Sequence, residues 1–480
     1  MSEFSPPRLT SMLAPLTWVS ALLLAGCAVT AVTPPQPPAA PAQFKETGLW
    51  QRAEGTSETV PDAWWKLFKD PVLDDLQGKL VLGNENLKSA VAQVAQARAS
   101  LDASRAAQWP TLGAGLSATR SVSAGTAPDG ESIRSGPANA VNLTANASWE
   151  IDLWGRLSQA SSSNEAKLQA SMDDLAAARL SMQATLAQSY FSMRTFEAQQ
   201  ALYERNLTAY ARSLALTQAR YDAGVAVRTD VLQAQTQLKT AQAQLADAIA
   251  QRAQMEHAIA VLLGQAPSVF FITRTGTLPD TPTVPTLLPS TLLQRRPDIA
   301  AAERRVAAAY AQIGVADAAY FPALTLSASA GYRGASLGDI VSAPNLLWSI
   351  GPALAQSLFD GGAKRAASDQ ALASADQATA NYRQSVLTAL QEVEDNLALA
   401  DQLREAVQLQ REALSLAQTT LTITTEQYRE GTVSYLNVVA AQTAALNSEL
   451  SVLSVRTREL SAINQLLKNV AGRWQDSPTP

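Results

Sequence analysis

The chain has 480 residues, of which 47% are hydrophobic and 16% are charged, and its formal net charge is −5. This apolar content is enough for a large packed core and excludes disorder as the main state. The balance of 37 basic and 42 acidic residues gives no electrostatic reason to bind nucleic acid. One His and one Cys exclude a His/Cys metal site or a disulfide framework, so no cofactor is predicted and a protein that works by shape is favoured.

Residues 1–26 are predicted to be a lipoprotein signal peptide. The apolar run from Leu16 to Ala25 is too short to cross a bilayer as a helix, and it ends in small residues. Leu24–Cys27 resembles a bacterial lipobox, in which the Cys sulfur is acylated, so Cys27 is the predicted lipidation site. The alternative is a signal peptide followed by a chance Cys. Residues 27–60 then form the acylated Cys and a Pro-rich, extended tether.

The remainder of the chain is a tandem duplication, with related segments about 207 to 212 residues apart. Trp109-Pro110 corresponds to Phe321-Pro322, and Tyr221–Gly224 corresponds to Tyr428–Gly431. The predicted organisation is a first repeat over 61–270, a linker over 271–289, a second repeat over 290–472 and a tail over 473–480.

The first repeat is predicted to run helix, two strands, long helical hairpin. Residues 71–108 have a helical period that Pro110 ends, and two alternating stretches follow. A helix from Arg156 to Ala223 contains neither Gly nor Pro and would span roughly 100 Å at 1.5 Å per residue. After Gly224 a return helix follows. The predicted strands, their connecting loop and the return helix are Leu112–Val122, Val141–Trp154, Ser123–Asn139 and Thr229–Leu263.

The second repeat has the same predicted order. A helix ends at Ala319, the Gly361-Gly362 turn follows two strands, and the return helix after Gly431 ends near Val470. Helices of this length must pack as coiled coils or helical hairpins, although a solvent-bridging rod is an alternative for the helices alone. The predicted strands and the long helix are Ala323–Tyr332, Leu346–Leu358 and Ala363–Glu430.

The four strands predict a shared β-barrel. Each has about 10 residues, the length that crosses a membrane when tilted, and apolar residues alternate with small polar ones. Open sheet edges are not tolerated in hydrocarbon, so four strands from one chain must be completed by strands from other copies. A soluble sheet with one buried face is the alternative. Aromatic residues lie toward the strand ends, where interfacial girdles belong: Trp109, Trp149, Trp154, Trp348 and Phe359.

Five segments of the mature chain carry a family pattern: Trp64–Leu73, Trp149–Arg156, Tyr221–Gly224, Arg295–Glu303 and Tyr428–Gly431. On these segments the chain resembles the TolC-like outer membrane factor family, and in particular its OprM-type efflux lipoprotein branch. The resemblance implies a mixed α and β membrane protein, a homotrimer sharing a 12-stranded β-barrel with four strands per chain. A long α-helical barrel would continue it through the periplasm, and the outer membrane lipid would surround the strands. A periplasmic adaptor (membrane fusion) protein and an inner membrane RND transporter are the implied partners.

The same resemblance places a closed aperture and the adaptor-docking surface at the hairpin tips. The predicted docking tips are Tyr221, Gly224 and Gly431, because glycine permits a tight turn and close approach of another helix. Asp230 and Tyr428 match the family's gate residues.

Other gate positions depart from the family. Val433 stands where the family has Arg, while Asn437 and Ala440 stand where it has an acidic ring. The gate is therefore expected to use either apolar closure through Val433 and Leu436 or nearby charges such as Arg228 and Arg429. Weak cation preference follows from the missing acids.

No catalytic residue is predicted. Glu256-His257 has the composition of an acid/base pair but lies among polar residues of a helix, and adjacent carboxylates such as Asp74-Asp75 point apart. The predicted function is an outer membrane exit duct of a tripartite RND-type multidrug efflux pump, a passive trimeric channel for drugs and other small molecules. The alternatives are a channel for protein or metal-ion export, or a periplasm-spanning structural lipoprotein.

Overall fold

The computed structural model describes residues 41, 43–46, 63–122, 124–126, 132–134, 136–282, 284, 295–338 and 340–471. The predicted signal peptide over 1–26, Cys27, most of the tether and the tail over 473–480 lie outside the described residues. Within them the chain forms seven α-helices: α1 Pro71–Gly83, α2 Glu85–Ala106, α3 Arg156–Asp222, α4 Arg228–Leu262, α5 Pro297–Ala318, α6 Ala363–Glu430 and α7 Tyr435–Val470. The long helix of the second repeat has the predicted bounds.

The helix predicted over 71–108 is two helices, α1 and α2. Asn84 separates them with an extended backbone, and its Oδ1 accepts a hydrogen bond from the Leu87 amide at 2.9 Å, which caps α2. Its Nδ2 donates to the Leu262 carbonyl at 2.7 Å. A Cβ on Gly83 would collide with the Leu263 carbonyl, so α4 closely approaches the chain where α1 ends. The apolar period continues across this break and therefore conceals it.

Six strands lie between the helices: β1 Thr111–Ser121, β2 Ala124–Thr126, β3 Ser132–Arg134, β4 Ala138–Ile151, β5 Ala323–Gly334 and β6 Leu346–Ala355. The segment predicted as a loop over Ser123–Asn139 contains the short hairpin of β2 and β3. The predicted ends of β4 and β6 at Trp154 and Leu358 are wrong by three residues each. In both repeats the strand gives way to a turn in which an Asp side chain caps the next helix. Asp152 accepts hydrogen bonds from the Leu157 and Ser158 amides, and Asp360 accepts them from the Gly362 and Lys364 amides.

The described chain separates into two compact units, and each contains segments of both repeats. One unit, the sheet unit, combines Val94–Ala170 with Ala302–Tyr382. The other, the helical unit, combines segments up to Gln93, Ser171–Ala301 and the chain from Arg383. Segments of both repeats therefore pack together within each unit, so each repeat contributes to the core that the other needs.

The main core lies in the helical unit. Trp64 is fully buried and packs edge-on against Trp65, and the Phe68 ring packs at a tilt against Phe191 with ring centroids 4.8 Å apart. Trp64 and Trp65 are therefore packing residues of this core. Helix α7 is long and apolar enough to cross a membrane by length and composition, but its C-terminal half packs in this core.

A buried ion network fastens the linker to α3. The fully buried Glu197 accepts hydrogen bonds from Arg194 Nη1 at 2.7 Å and from the Thr275 amide at 3.0 Å. Arg194 Nη1 also donates to the Thr273 carbonyl at 2.9 Å, and Arg252 Nε donates to Glu197 at 3.3 Å. Each buried charge therefore has an opposite charge and backbone partners, which the desolvation cost of burial requires.

Candidate functional site

The strand register sorts the side chains of the sheet onto two different faces. The sheet order is β1-β4-β5-β6, and every neighbouring pair is antiparallel. One row across the four strands consists of Leu112, Ala147, Ala328 and Ile350. The adjacent row on the opposite face consists of Gly113, Asn146, Ser329 and Ser349. One face is therefore apolar and the other small and polar, the pattern of a wall between lipid and water.

Both edges of the sheet lack a partner among the described strands. Strands β1 and β6 each pair with a single neighbour, on one side only. All 11 residues of β1 are exposed, and so are all but one of the 10 residues of β6. Long, apolar, unpaired edges are unstable in water and forbidden in hydrocarbon. The sheet is complete only when other strands pair with these two edges.

The hairpin tips are built in the same way in both repeats. Gly224 and Gly431 have φ of +75° and +81°, where a residue without a Cβ is favoured. The Val225 amide bonds the Arg220 carbonyl, and the Thr432 amide bonds the Gln427 carbonyl, both at 2.9 Å. These are the C-terminal bonds of a Schellman motif, which ends a helix sharply and satisfies its last carbonyls. The structure thus explains the glycines that the sequence singled out.

A contact that the sequence did not predict joins the two tips. Arg220 Nη1 donates to the Tyr428 carbonyl at 3.2 Å and to the Arg429 carbonyl at 3.0 Å. The guanidinium carbon also lies 4.9 Å from the centre of the Tyr428 ring, within cation–π range. Arg429, one of the two charges named from the sequence, pairs with Glu426 on its own helix at 2.6 Å.

Tyr428 lies in an apolar cluster at the tip. It packs with Tyr435, Ala234 and Val438, and Val433 lies against them. The Tyr428 and Tyr435 ring centroids are 5.3 Å apart, and Tyr435 Oη bonds Ser213 Oγ at 3.1 Å. Burial raises the pKa of Tyr435, and the negative charge of Asp230 adds to the rise.

The remaining gate candidates lie outside that cluster. Leu436 and Asn437 are exposed, and Leu436 lines a groove of about 380 Å³ with Leu232 and Val439. Asp230 is half-buried, while Tyr428 Oη is buried without a hydrogen-bond partner in the part of the chain that the structure describes. Asp230 and Tyr428 are therefore not joined by a hydrogen bond within one described chain.

The docking candidates are at the surface. Tyr221 is exposed, and a Cβ built on Gly224 meets no atom within 4 Å. A Cβ on Gly431 would lie 3.6 Å from Arg220 Nη2. The first tip thus has open space at Gly224, whereas Gly431 of the second tip lies beside Arg220.

The contacts of Glu256 and His257 are those of structural side chains rather than of an acid/base pair. Glu256 accepts from the Ile272 amide at 2.6 Å and pairs with Arg252 at 2.7 Å, while His257 is exposed. Among the described residues, no three His, Cys, Asp or Glu side chains are grouped to hold a metal ion.

Comparison with known proteins gives consistent matches. The family profile described as outer membrane efflux protein matches residues 77–265 and 288–472. The solvent efflux pump outer membrane protein SrpC of Pseudomonas putida is 31% identical over 462 residues, 95% of this chain and 97% of that protein. The pyoverdine export outer membrane protein OpmQ of Pseudomonas aeruginosa is 31% identical over 466 residues, 96% of this chain and 97% of that protein. The solved structure of the outer-membrane channel OprN superimposes with a TM-score of 0.83 at 30% identity, over 92% of this chain and 100% of that chain.

Proposed function

This chain belongs to the outer membrane efflux protein family, and we propose that three copies of it form the passive exit duct of a tripartite efflux pump. It is an outer membrane channel protein with a mixed α and β fold that extends into the periplasm. The observation that carries the proposal is the four-stranded sheet with one apolar face and two unpaired edges.

Pairing between copies completes the sheet. Strand β1 of one copy pairs with β6 of the next in a head-to-tail arrangement, which closes into a ring after a fixed number of copies. Two copies give a barrel of 8 strands, whose interior is filled by side chains. Three copies give 12 strands and leave an open lumen. A duct for organic molecules requires the larger ring.

The hairpin tips serve as gate and docking surface. Tyr221, Gly224 and Gly431 form the surface that receives a periplasmic adaptor protein, because they are exposed or lie at tight turns. Tyr428 and Val433 close the tip from within, and Asp230, Leu436 and Asn437 face neighbouring copies. An inner membrane RND transporter supplies the energy, since a passive channel has none of its own.

Cys27 anchors the mature N-terminus in the outer membrane through acyl chains, in addition to the barrel. This residue lies outside the described residues, and the proposal rests on the lipobox pattern of Leu24–Cys27. Mass spectrometry of the mature N-terminus tests it. An unmodified Cys27 or cleavage at another bond overturns it.

The cargo is a set of small organic molecules. The relatives are named for solvent and pyoverdine efflux, and the family comprises channels rather than enzymes. The names of these relatives support the narrower assignment to drugs and solvents. In such pumps the transporter, rather than the outer membrane channel, determines most of the specificity for the cargo.

Two measurements on the detergent-purified protein test the duct. Light scattering that is corrected for detergent should give a mass of three copies. Planar bilayers should show discrete conductance steps, which a periplasm-spanning structural lipoprotein would not produce. A folded monomer in detergent, or trimers without conductance, contradicts the proposal.

A further inference from the structure

Two apolar side chains after β6 are almost completely exposed. Leu358 and Phe359 are each 92% exposed, more than any other large hydrophobic residue in the described chain. Hydrogen bonds hold the residues on either side of the pair, since Asp360 accepts from the Gly362 amide at 2.9 Å and Lys364 Nζ donates to the Ser357 carbonyl at 3.3 Å. Two neighbouring apolar side chains with this exposure mark a contact surface.

The first repeat has a corresponding pair, and there it is covered. Leu153-Trp154 follows β4 as Leu358-Phe359 follows β6. Trp154 stacks on Phe321 with ring centroids 4.8 Å apart and planes at 18°, and its Nε1 donates to the Pro322 carbonyl at 2.7 Å. Phe321-Pro322 leads into β5, the strand that pairs with β4. The aromatic residue that leaves one strand is therefore covered by the residues that enter the adjacent strand.

The covering segment also has a counterpart. Trp109-Pro110 leads into β1 as Phe321-Pro322 leads into β5, and the two turns share their geometry. The Trp109 amide bonds the Ala106 carbonyl at 3.0 Å, and the Phe321 amide bonds the Ala318 carbonyl at 3.1 Å. Trp109 is 72% exposed. Trp109 therefore has the position that Phe321 has in the second repeat. In the described chain, however, no aromatic side chain stacks on Trp109 as Trp154 stacks on Phe321.

One chain cannot bring these two surfaces together. Strands β1 and β6 are the opposite edges of the sheet, so Trp109 and Phe359 belong to opposite edges of the same chain. The register places Thr111, Ile151, Ala323 and Ala355 at one common end of the sheet. When β6 of one copy pairs with β1 of the next, Phe359 and the next copy's Trp109 meet at this end.

We infer that Leu358 and Phe359 of each copy pack against Trp109 and Pro110 of the next copy, repeating between chains the contact that Trp154 makes with Phe321-Pro322 within one chain. The inference rests on the proposed trimer and adds the side-chain contact that closes its seam. It differs from the internal contact in one respect. The Phe359 side chain has no N–H group, so the Pro110 carbonyl does not receive the hydrogen bond that the Trp154 indole gives to Pro322.

Cross-linking of paired cysteines tests the contact. Trp109→Cys with Phe359→Cys forms the seam pair, Trp154→Cys with Phe321→Cys is the control pair within one chain, and each single variant controls for random collisions. A bifunctional thiol reagent is chosen by the length that joins the control pair. The seam pair should then give covalent dimers and trimers on denaturing gels, whereas the control pair should give only cross-linked monomers.

The mass of the uncross-linked seam variant separates the two possible failures. Three copies in detergent without cross-links overturn the contact and leave the trimer intact, as they would if Phe359 were covered by lipid. Monomers of the wild-type protein in the same detergent overturn both. Cross-linked dimers and trimers at the seam support both.

Substitution at Phe359 gives a second, independent readout. Phe359→Ala should speed trimer dissociation about tenfold, because an aromatic contact and its buried area are lost. Phe359→Trp should slow it, because the indole can donate to the next copy's Pro110 carbonyl as Trp154 does within the chain. Leu337→Ala, at an exposed residue between β5 and β6, is the matched control and should have no effect. Equal dissociation rates for all four proteins contradict the inference.

Discussion

Arg220 of the first hairpin contacts Tyr428 near the C-terminus of α6 in the second hairpin. Its guanidinium donates to the Tyr428 and Arg429 carbonyls, the first of which also accepts from the Gly431 amide at 3.0 Å, and lies against the Tyr428 ring. A cation at a helix C-terminus is also favoured by the helix dipole. The position that matches Arg220 in the second repeat is Gln427, so the link runs from the first tip to the second and not the reverse.

Arg220→Gln should loosen the closed tip. The substitution installs the residue of the second repeat and removes both the charge-assisted hydrogen bonds and the cation–π contact, a loss of roughly 1–3 kcal/mol. Leak conductance in planar bilayers should rise. Arg220→Lys should give an intermediate conductance, because lysine keeps the positive charge but lacks the paired N–H groups of the guanidinium. Arg429→Gln is the control, since the Arg429 guanidinium pairs with the exposed Glu426 of its own helix and with no other carboxylate among the described residues. An unchanged leak in Arg220→Gln contradicts this role of the contact.

Asp230→Ala should raise the leak without destabilising the individual chain. The Asp230 carboxylate is half-buried and does not bond Tyr428 within the chain, so its contribution to the closed tip must come from a neighbouring copy. Thermal unfolding of the subunit should therefore change by about 0.5 kcal/mol or less. A large loss of subunit stability, or no increase in leak, argues against a role between copies.

The sequence predicted the long helices well because their ends have strong local causes. Gly224 and Gly431 sit at positive φ after both outgoing helices, and the bounds of α6 match the prediction. It missed the break at Asn84, because that residue's two partners, Leu87 and Leu262, include one from a distant helix. It also missed Arg220, since its role depends on which hairpin lies beside which, and no local pattern encodes that.

The two faces of the sheet were predictable from alternation alone, but the neighbours of each strand were not. Strand β4 of the first repeat pairs with β5 of the second, although the long α3–α4 hairpin lies between them in the sequence. Only the register shows that the apolar rows of the two strands coincide. The covered Trp154 and the exposed Phe359 look alike in sequence. Their difference follows from strand order, which places β5 beside β4 and leaves β6 at an edge.

Weak cation selectivity is expected at the tip. Asn437 and Ala440 are exposed on the return helix where an acidic ring would select cations, and neither carries charge. Reversal potentials in a salt gradient should be close to zero for the wild type. Asn437→Asp should shift them toward cation preference, because three copies would place three carboxylates around the aperture. Strong cation selectivity in the wild type contradicts this explanation.

Gly224 offers a clean test of adaptor docking. A side chain there meets no atom of the chain within 4 Å, although its positive φ costs about 1 kcal/mol for a residue with a Cβ. Gly224→Phe should therefore leave trimer assembly intact and abolish adaptor binding measured by pull-down. Gly431→Phe is the contrasting variant, because a side chain there approaches Arg220 and should disturb the gate as well. Normal binding by Gly224→Phe would exclude the first tip from the docking surface.

Removing the charge of Glu197 should destabilise the helical unit far more than the same change at a surface site. The carboxylate is fully buried, and it accepts hydrogen bonds from Arg194, Arg252 and the Thr275 amide. Glu197→Gln keeps the shape but leaves the buried Arg194 guanidinium without a counter-charge, while Arg252 retains its ion pair with Glu256. The loss should cost roughly 3–5 kcal/mol.

The matched control is Glu204→Gln on the same helix. Glu204 pairs with Arg274 of the same linker at 3.4 Å, but both side chains are about half exposed, so its loss should cost about 0–1 kcal/mol. Thermal unfolding in detergent, followed by circular dichroism, compares the two variants under one condition. Limited proteolysis between residues 271 and 282 should accelerate in Glu197→Gln and not in Glu204→Gln, because only the first releases the linker backbone that Glu197 and Arg194 hold. Equal stability of the two variants would show that the buried network does not fasten the linker.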